Sequence, residues 1–342
     1  AAIAGIAIVI GLSWAAFDRP HLLLDPILPS VALALVFAVT TPALLLLANR
    51  ERRFIQSAFG RYLSPTLVGR LADNPAELKL GGEVRDLTVL FSDIRGFTTL
   101  SEKLDPSELT SLLNAFLTPA TDVLLRADAT IDKYIGDAIM AFWNAPLDIP
   151  DHRRKACLAA LAMRGALGEL NRARGMDLRI GIGLHSGDCC VGNLGSAQRF
   201  SYSAIGVSVS LAWRSEGLTK QYGVDILVTE DTVEGAADLA FIEADLVRVV
   251  GREHPIRIFA LVGDAGHAQS EAFGTFRQAH ERFIGAYRRG DFESALSGLE
   301  AVSAKAPEAL GGLYRVYGDR LAVLAKAPPD PGWDGVFVAE RK

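Results

Sequence analysis

Lys133-Tyr134-Ile135-Gly136-Asp137-Ala138-Ile139-Met140-Ala141 is the stretch that decides how this chain folds. Thr130 to Trp143 holds two short strand-like runs, and Gly136-Asp137 between them has the turn chemistry of a hairpin. The pattern predicts two antiparallel strands with a carboxylate at the tip. Upstream, Phe91-Ser92-Asp93-Ile94-Arg95-Gly96-Phe97-Thr98 closes a β-rich run, Leu87 to Ile94, with a second carboxylate and then a glycine turn. One aspartate in such a place would serve equally well as a turn cap. Two of them, one ending a strand and one at a hairpin tip, can share divalent cations. The loop N–H groups of Gly96, Phe97 and Thr98 can cradle phosphate oxygens that such cations bridge.

Around these two motifs, residues 83–263 alternate strand-like and helix-like segments, the pattern of an α/β or α+β domain. Asp105-Pro106-Ser107-Glu108 supplies an N-cap, a proline at the first helical position and an acid at the third, opening a helix toward Ala127. Asp151 is read as the cap of another helix, Leu178 to His185 as a strand and Ser208 to Tyr222 as a helix. Beyond Gly263, helices are expected around 276–288 and 292–304 with Gly290-Asp291 between them, a single helical hairpin of the kind repeats are built from. The end, Pro328 to Trp333, is loop-like. His185, Trp143 and Trp213 are read as packing residues.

The 342 residues are 50% apolar with a formal charge of −5, which is apolar for a soluble chain and gives no sign of nucleic-acid binding. Residues 1–17 carry no charge, and the 24 residues from Pro26 to Asn49 form a second uncharged run, which as a helix would span about 36 Å. Both read as transmembrane helices. Arg50, Arg52 and Arg53 follow the second run, so the positive-inside rule places the rest in the cytoplasm of a multi-pass, membrane-embedded protein of the cell (inner) membrane. Phe54, Ile55, Ala58, Phe59, Tyr62, Leu63 and Leu67 recur at helical spacing, interrupted at Ser64-Pro65, as in an amphipathic coupling element. The expected organisation is thus a membrane region at 1–49, a linker at 50–82, a catalytic domain at 83–263 and a helical tail at 264–342. The three cysteines, Cys157, Cys189 and Cys190, lack zinc or disulfide spacing and read as reduced thiols.

The two carboxylate motifs resemble those of the class III nucleotide cyclases, Phe-x-Asp-Ile-x-Gly-Phe-Thr and Lys-x-x-Gly-Asp-Ala-x-Met-Ala. The resemblance continues through Gly183-Leu184-His185-Ser186-Gly187, Val191-Gly192-Asn193-Leu194-Gly195, Phe200-Ser201-Tyr202-Ser203 and Ala212-x-Arg214. The two apolar runs, Phe59-Gly60-Arg61-Tyr62 and Trp333-Asp334-Gly335-Val336 look like the bacterial subgroup with an extracellular CHASE2 sensor, which would precede residue 1.

What this resemblance implies is a ferredoxin-like α+β sandwich acting as a homodimer that converts ATP to 3′,5′-cyclic AMP and pyrophosphate. Asp93, Asp137 and the carbonyl of Ile94 would hold two Mg²⁺ or Mn²⁺ ions, and Arg214 would stabilise the transferring phosphoryl group. Lys133 and Ser203 would read the base. Lysine can only donate a hydrogen bond, which suits adenine N1 and not the N1–H of guanine, whereas the serine hydroxyl could accept from adenine or donate to guanine.

The sequence also departs from the family pattern. Gly206-Val207-Ser208-Val209-Ser210-Leu211-Ala212-Trp213-Arg214 has valine where the family has aspartate and Ser210 where it has the substrate-orienting asparagine. A usual Val-Lys-Gly reads Val249-Val250-Gly251-Arg252, so Arg252 would have to substitute on the triphosphate. These changes imply slower turnover and leave a second reading, a degenerate cyclase domain that binds nucleotide or dimerises as a regulatory partner.

Overall fold

The computed structural model describes residues 2–18, 25–60, 68–69, 82–195, 200–248, 254–327, 329 and 333–338, and the chain divides into two compact units. The first contains α1 (Ala2–Asp18) and α2 (Ile27–Phe59), which pack against each other. Helices therefore form at both apolar runs, and the second continues as one rod through Arg50, Arg52 and Arg53. At 17 residues α1 extends only about 25 Å, less than the about 30 Å of a hydrocarbon core. Among the described residues no helix is long and apolar enough to cross a membrane, so the two expected transmembrane spans are not supported. Most of the expected coupling element beyond α2 lies outside the described residues.

In the second unit a mixed sheet joins β1 (Glu83–Ile94), β2 (Thr130–Ile135), β3 (Ala138–Trp143), β4 (Ile180–Gly195), β5 (Phe200–Ile205), β6 (Ile226–Thr229), β7 (Ala240–Arg248), β8 (Ile256–Gly263) and β9 (Phe337–Val338). Its order is β2-β3-β1-β4-β6-β8-β7-β9, with β5 pairing on β4. The fold is thus α+β. β1 lies between its two antiparallel partners β3 and β4, with Leu87, Val89 and Leu90 of its central run fully buried.

The helices of this unit divide between the faces of the sheet. α3 is the short turn Phe97–Ser101, and α4 (Pro106–Arg126) begins at the expected capping box, the Asp105 carboxylate accepting from the N–H groups of Ser107 and Glu108. Leu112, Phe116, Ala120 and Leu124, four residues apart, form its buried stripe. It packs on β2 and on α5 (His152–Arg174), which covers β1, β3 and β4. Asp151 does precede α5, but its backbone is left-handed and its side chain makes no cap hydrogen bond, contrary to the expectation.

α6 (Val207–Tyr222) lies along β4, where Gly181, Gly183 and Gly187 occupy alternate positions of one face. A Cβ on Gly183 would sit 2.0 Å from the backbone nitrogen of Glu216 and 2.5 Å from the carbonyl oxygen of Ala212. Helix backbone meets strand backbone only because no side chain intervenes. The opposite positions, Ile180, Ile182 and Leu184, fill the core. Trp143 is buried there as expected, but Trp213 is 63% exposed on α6 and is not a packing residue within the chain.

After α7 (Glu230–Val233) and α8 (Ala265–Ala268) come α9 (Glu271–Arg288) and α10 (Phe292–Ser303), the expected helical hairpin, and then α11 (Gly311–Leu324), which was not expected. Phe273, Phe276, Phe283 and Tyr317 share one core with Leu211, Tyr222, Ile242 and Ile258 of α6 and the sheet. Asp245, buried in β7, accepts from the Tyr222 hydroxyl at 2.6 Å and pairs with Arg320 at 2.5 Å, tying α11 to the end of α6.

Candidate active site

Asp93 stands near the end of β1, and Asp137 at the turn between β2 and β3. Gly136, at a φ of 66°, makes the hairpin tight, and Gly96, at 71°, turns the chain from β1 into α3. β3 pairs with β1, so the tip carrying Asp137 folds back beside the strand end: the Ile94 N–H donates to Asp137 Oδ2 at 3.1 Å. The two carboxyl groups are close enough to share a hydrogen bond. Burial, that hydrogen bond and the neighbouring charge of Asp93 push the Asp137 carboxyl up to about 7.

Such a pair fits a divalent cation, which would remove the repulsion between two carboxylates held together by the fold. Among the described residues no group of three or more His, Cys, Asp or Glu side chains could hold a metal. Two carboxylates and a main-chain carbonyl suit an ion that takes its remaining ligands from water and phosphate, as Mg²⁺ does, rather than an all-protein cage.

The cleft at these aspartates has a volume of about 220 Å³. Gly96, Phe97 and Thr98 line one side, while Glu216, Gly217, Thr219 and Lys220 of α6 line the other. Arg95 stitches the sides together, donating to the Thr219 carbonyl at 3.1 Å and to that of Val224, with Asp225 at 3.9 Å. Neither Arg95 nor the α6 wall was singled out from the sequence; the run of glycines in β4 was the available signal.

Lys133 and Ser203 meet in a second cluster. The Lys133 ammonium donates to Ser203 Oγ at 3.3 Å, and both side chains contact Asp132, which is buried and was also not foreseen. Ser210 and Arg214, one turn apart on α6, line neither the cleft nor this cluster. Ser210 is exposed and its hydroxyl donates back to the Gly206 carbonyl at 3.5 Å, while Arg214 is half-buried. Arg252 lies outside the described residues. His185 is a packed strand histidine, its Nδ1 2.7 Å from Thr229 Oγ1, and the three cysteines are free thiols.

Residues 82–263 match the family model of the adenylate and guanylate cyclase catalytic domain. Adenylate cyclase 1 of Rhizobium meliloti (strain 1021) is 33% identical over 56% of this chain and 30% of its own length. An adenylate cyclase of Anabaena cylindrica is 34% identical over 67% of this chain and 47% of its own. The chain thus spans less than half the length of these relatives. Among solved structures, the adenylyl cyclase CyaB from P. aeruginosa is 34% identical, with a TM-score of 0.50 over 55% of this chain and 97% of that one. The guanylyl cyclase Cya2 is also 34% identical at 0.50, over 54% and 95%. Two relatives of opposite base preference are equally similar, so overall likeness does not choose the nucleotide. The family-model match over residues 82–263, more than half of the chain, nevertheless places it in one family: it belongs to the class III adenylate and guanylate cyclases.

Proposed function

We propose that the chain is an adenylate cyclase converting ATP to 3′,5′-cyclic AMP and pyrophosphate, and that it acts as a homodimer. The observation that carries this reading is the pair Asp93 and Asp137, brought to one cleft beside the loop Gly96 to Thr98. In the reaction the ribose O3′ bonds to the α-phosphorus as the bond from that phosphorus to the bridging oxygen of the β-phosphate breaks. Pyrophosphate leaves with the electron pair and the hydroxyl proton passes to solvent. Two Mg²⁺ or Mn²⁺ ions, held by Asp93, Asp137 and the Ile94 carbonyl, would lower the pKa of the hydroxyl and neutralise the triphosphate. The loop N–H groups orient the phosphates, and Lys133 with Ser203 selects the base. Arg214 offers a permanently charged, planar guanidinium to the transferring phosphoryl group, with Ser210 beside it and Arg252 on the triphosphate.

The placement of Ser210 and Arg214 supports the homodimer. They do not line the cleft of their own chain, whereas a second copy could bring its α6 to that cleft and complete it. Exposed Tyr134, Ile135, Ile205, Val207 and Trp213, all near these elements, provide apolar surface for such a contact.

Location belongs to the same proposal. Exposed Ile8, Leu12, Trp14, Leu28 and Val36 support attachment of the helical unit to the cell membrane, with the catalytic unit in the cytoplasm where ATP is found. Recovery of the whole chain in the soluble fraction after cell lysis would sink that part.

The enzymatic test incubates the purified chain with ATP or GTP and Mg²⁺ or Mn²⁺ and measures cyclic product, with Asp93→Ala as control. Product from ATP well above the control is expected. Nucleotide binding without turnover would replace this reading with that of a regulatory cyclase domain, which the exposed Ser210 at an asparagine position would then explain.

A further inference from the structure

Asp132 lies where the ladder between β2 and β3 slips: Ile131 faces Ala141, and Lys133 faces Met140. The bulge breaks the alternation of the strand, so Ile131 and Asp132 are both buried and Lys133 is exposed. An aspartate turned inward by a bulge needs partners, and it has three. Its Oδ2 accepts the Ser203 hydroxyl at 2.6 Å and the Ala204 N–H at 3.3 Å, while Oδ1 faces Lys133 Nζ at 3.2 Å.

The consequence for Ser203 follows from counting. A hydroxyl has one proton and two lone pairs. The proton goes to a buried carboxylate, a short, charge-assisted bond that is costly to give up. One lone pair receives Lys133. What remains for a ligand is a single lone pair, beside an ammonium that keeps at least one N–H.

We infer that Asp132 is the positioning residue that sets base preference: by taking the Ser203 proton it leaves an acceptor next to the Lys133 donor, a pattern complementary to adenine and reversed for guanine. Adenine presents N1 as acceptor and its 6-amino group as donor, whereas guanine presents N1–H and O6. A serine free to rotate would accommodate either base; one held by Asp132 does not. The inference rests on the reading of Lys133 and Ser203 as the base contacts.

The test measures kcat/KM for ATP and for GTP with Mn²⁺ on the full chain, as wild type and as Asp132→Asn, Ser203→Ala, Ser203→Thr and Asp132→Asn with Ser203→Ala. The asparagine amide can donate to Ser203 and release its proton, so the ATP-to-GTP ratio is expected to fall about tenfold or more. Ser203→Ala should lower the ratio similarly, with Asp132→Asn adding nothing in that background, while Ser203→Thr keeps the wild-type ratio. A purely structural role would lower both nucleotides together and leave the ratio alone. A folded Asp132→Asn protein with a ratio within about twofold of wild type would overturn the inference. If that variant fails to fold, equal ratios in Ser203→Ala and Ser203→Thr would do so. Should the wild type make no cyclic product, the enzyme reading fails separately. The same variants are then compared by the ratio of ATP to GTP dissociation constants, and a wild type that binds neither overturns both.

Discussion

Asp132 and Asp137 stand on the same hairpin, and their surroundings are opposite. Asp132 is buried with a hydroxyl, a main-chain N–H and an ammonium around it. Asp137 has its own main-chain N–H, that of Ile94 and the carboxyl group of Asp93. The first aspartate takes the protein's own donors on Oδ2 and has an ammonium beside Oδ1, which accepts no hydrogen bond. The second is set against a like charge, which a divalent cation would offset. In this hairpin the carboxylate held by protein donors is the one proposed to organise recognition, and the opposed pair is where chemistry is expected.

The comparison breaks most visibly if Asp137 is dispensable. Asp137→Ala should reduce cyclic product by about a thousandfold, since metal-held charge stabilisation is worth several kcal/mol. Its metal-free fold should melt no lower than wild type, because one of two opposed carboxylates is gone. A variant retaining a tenth of the activity would end the metal assignment.

Lys133→Met tests the other side by taking the ammonium from Asp132. A loss of about 1–3 kcal/mol in urea unfolding is expected, toward the lower end because Lys133 is half-exposed and water partly replaces it. Unchanged stability would show that Ser203 and Ala204 suffice for the buried carboxylate.

A third test uses pH. With its carboxyl pushed up to about 7, folded Asp137 keeps a proton that the unfolded chain releases near pH 4. Metal-free stability should therefore fall as pH rises between these values and level off above 7. A cation must displace that proton, so Mn²⁺ affinity should rise up to about tenfold per pH unit below 7 and flatten above it. Thermal melts with and without Mn²⁺ read both effects, and Asp137→Asn should abolish the slope that this residue contributes.

The smallest effect is expected away from both clusters. Trp213→Ser should change unfolding free energy by no more than about 0.5 kcal/mol, since the side chain is exposed. If α6 joins a second copy, the variant will need higher protein concentration for the same specific activity. Sedimentation together with activity against concentration measures this, and concentration-independent activity equal to wild type would remove Trp213 from any interface.

Much of the catalytic unit was legible because its signals are local. The Asp105 capping box, the Gly136-Asp137 turn and the apolar run ending at Ile94 each depend on neighbours within a few residues. α11 escaped notice because Gly311-Gly312 opens it and Gly318 interrupts it, and these weaken helical propensity that packing of Tyr314 and Tyr317 overrides. Trp213 was misread since hydrophobicity alone does not say which face of α6 meets the sheet. The apolar runs at the start were read as spans by composition, yet the helices that form do not meet the length and apolarity of a span among the described residues.

Residue types and most strand, turn and cap positions were set by the sequence alone: the aspartates at a strand end and a hairpin tip, the hairpin between Thr130 and Trp143, and a lysine that can only donate. Tertiary structure decided what those groups meet. β3 pairing on β1 brought Asp137 to Asp93, the glycines of β4 let α6 close one side of the cleft, and a bulge turned Asp132 inward to Ser203, 71 residues away. The physical reason is range: propensity and capping act over a turn or two, whereas a shared proton or a repelling carboxylate depends on which distant strands become neighbours.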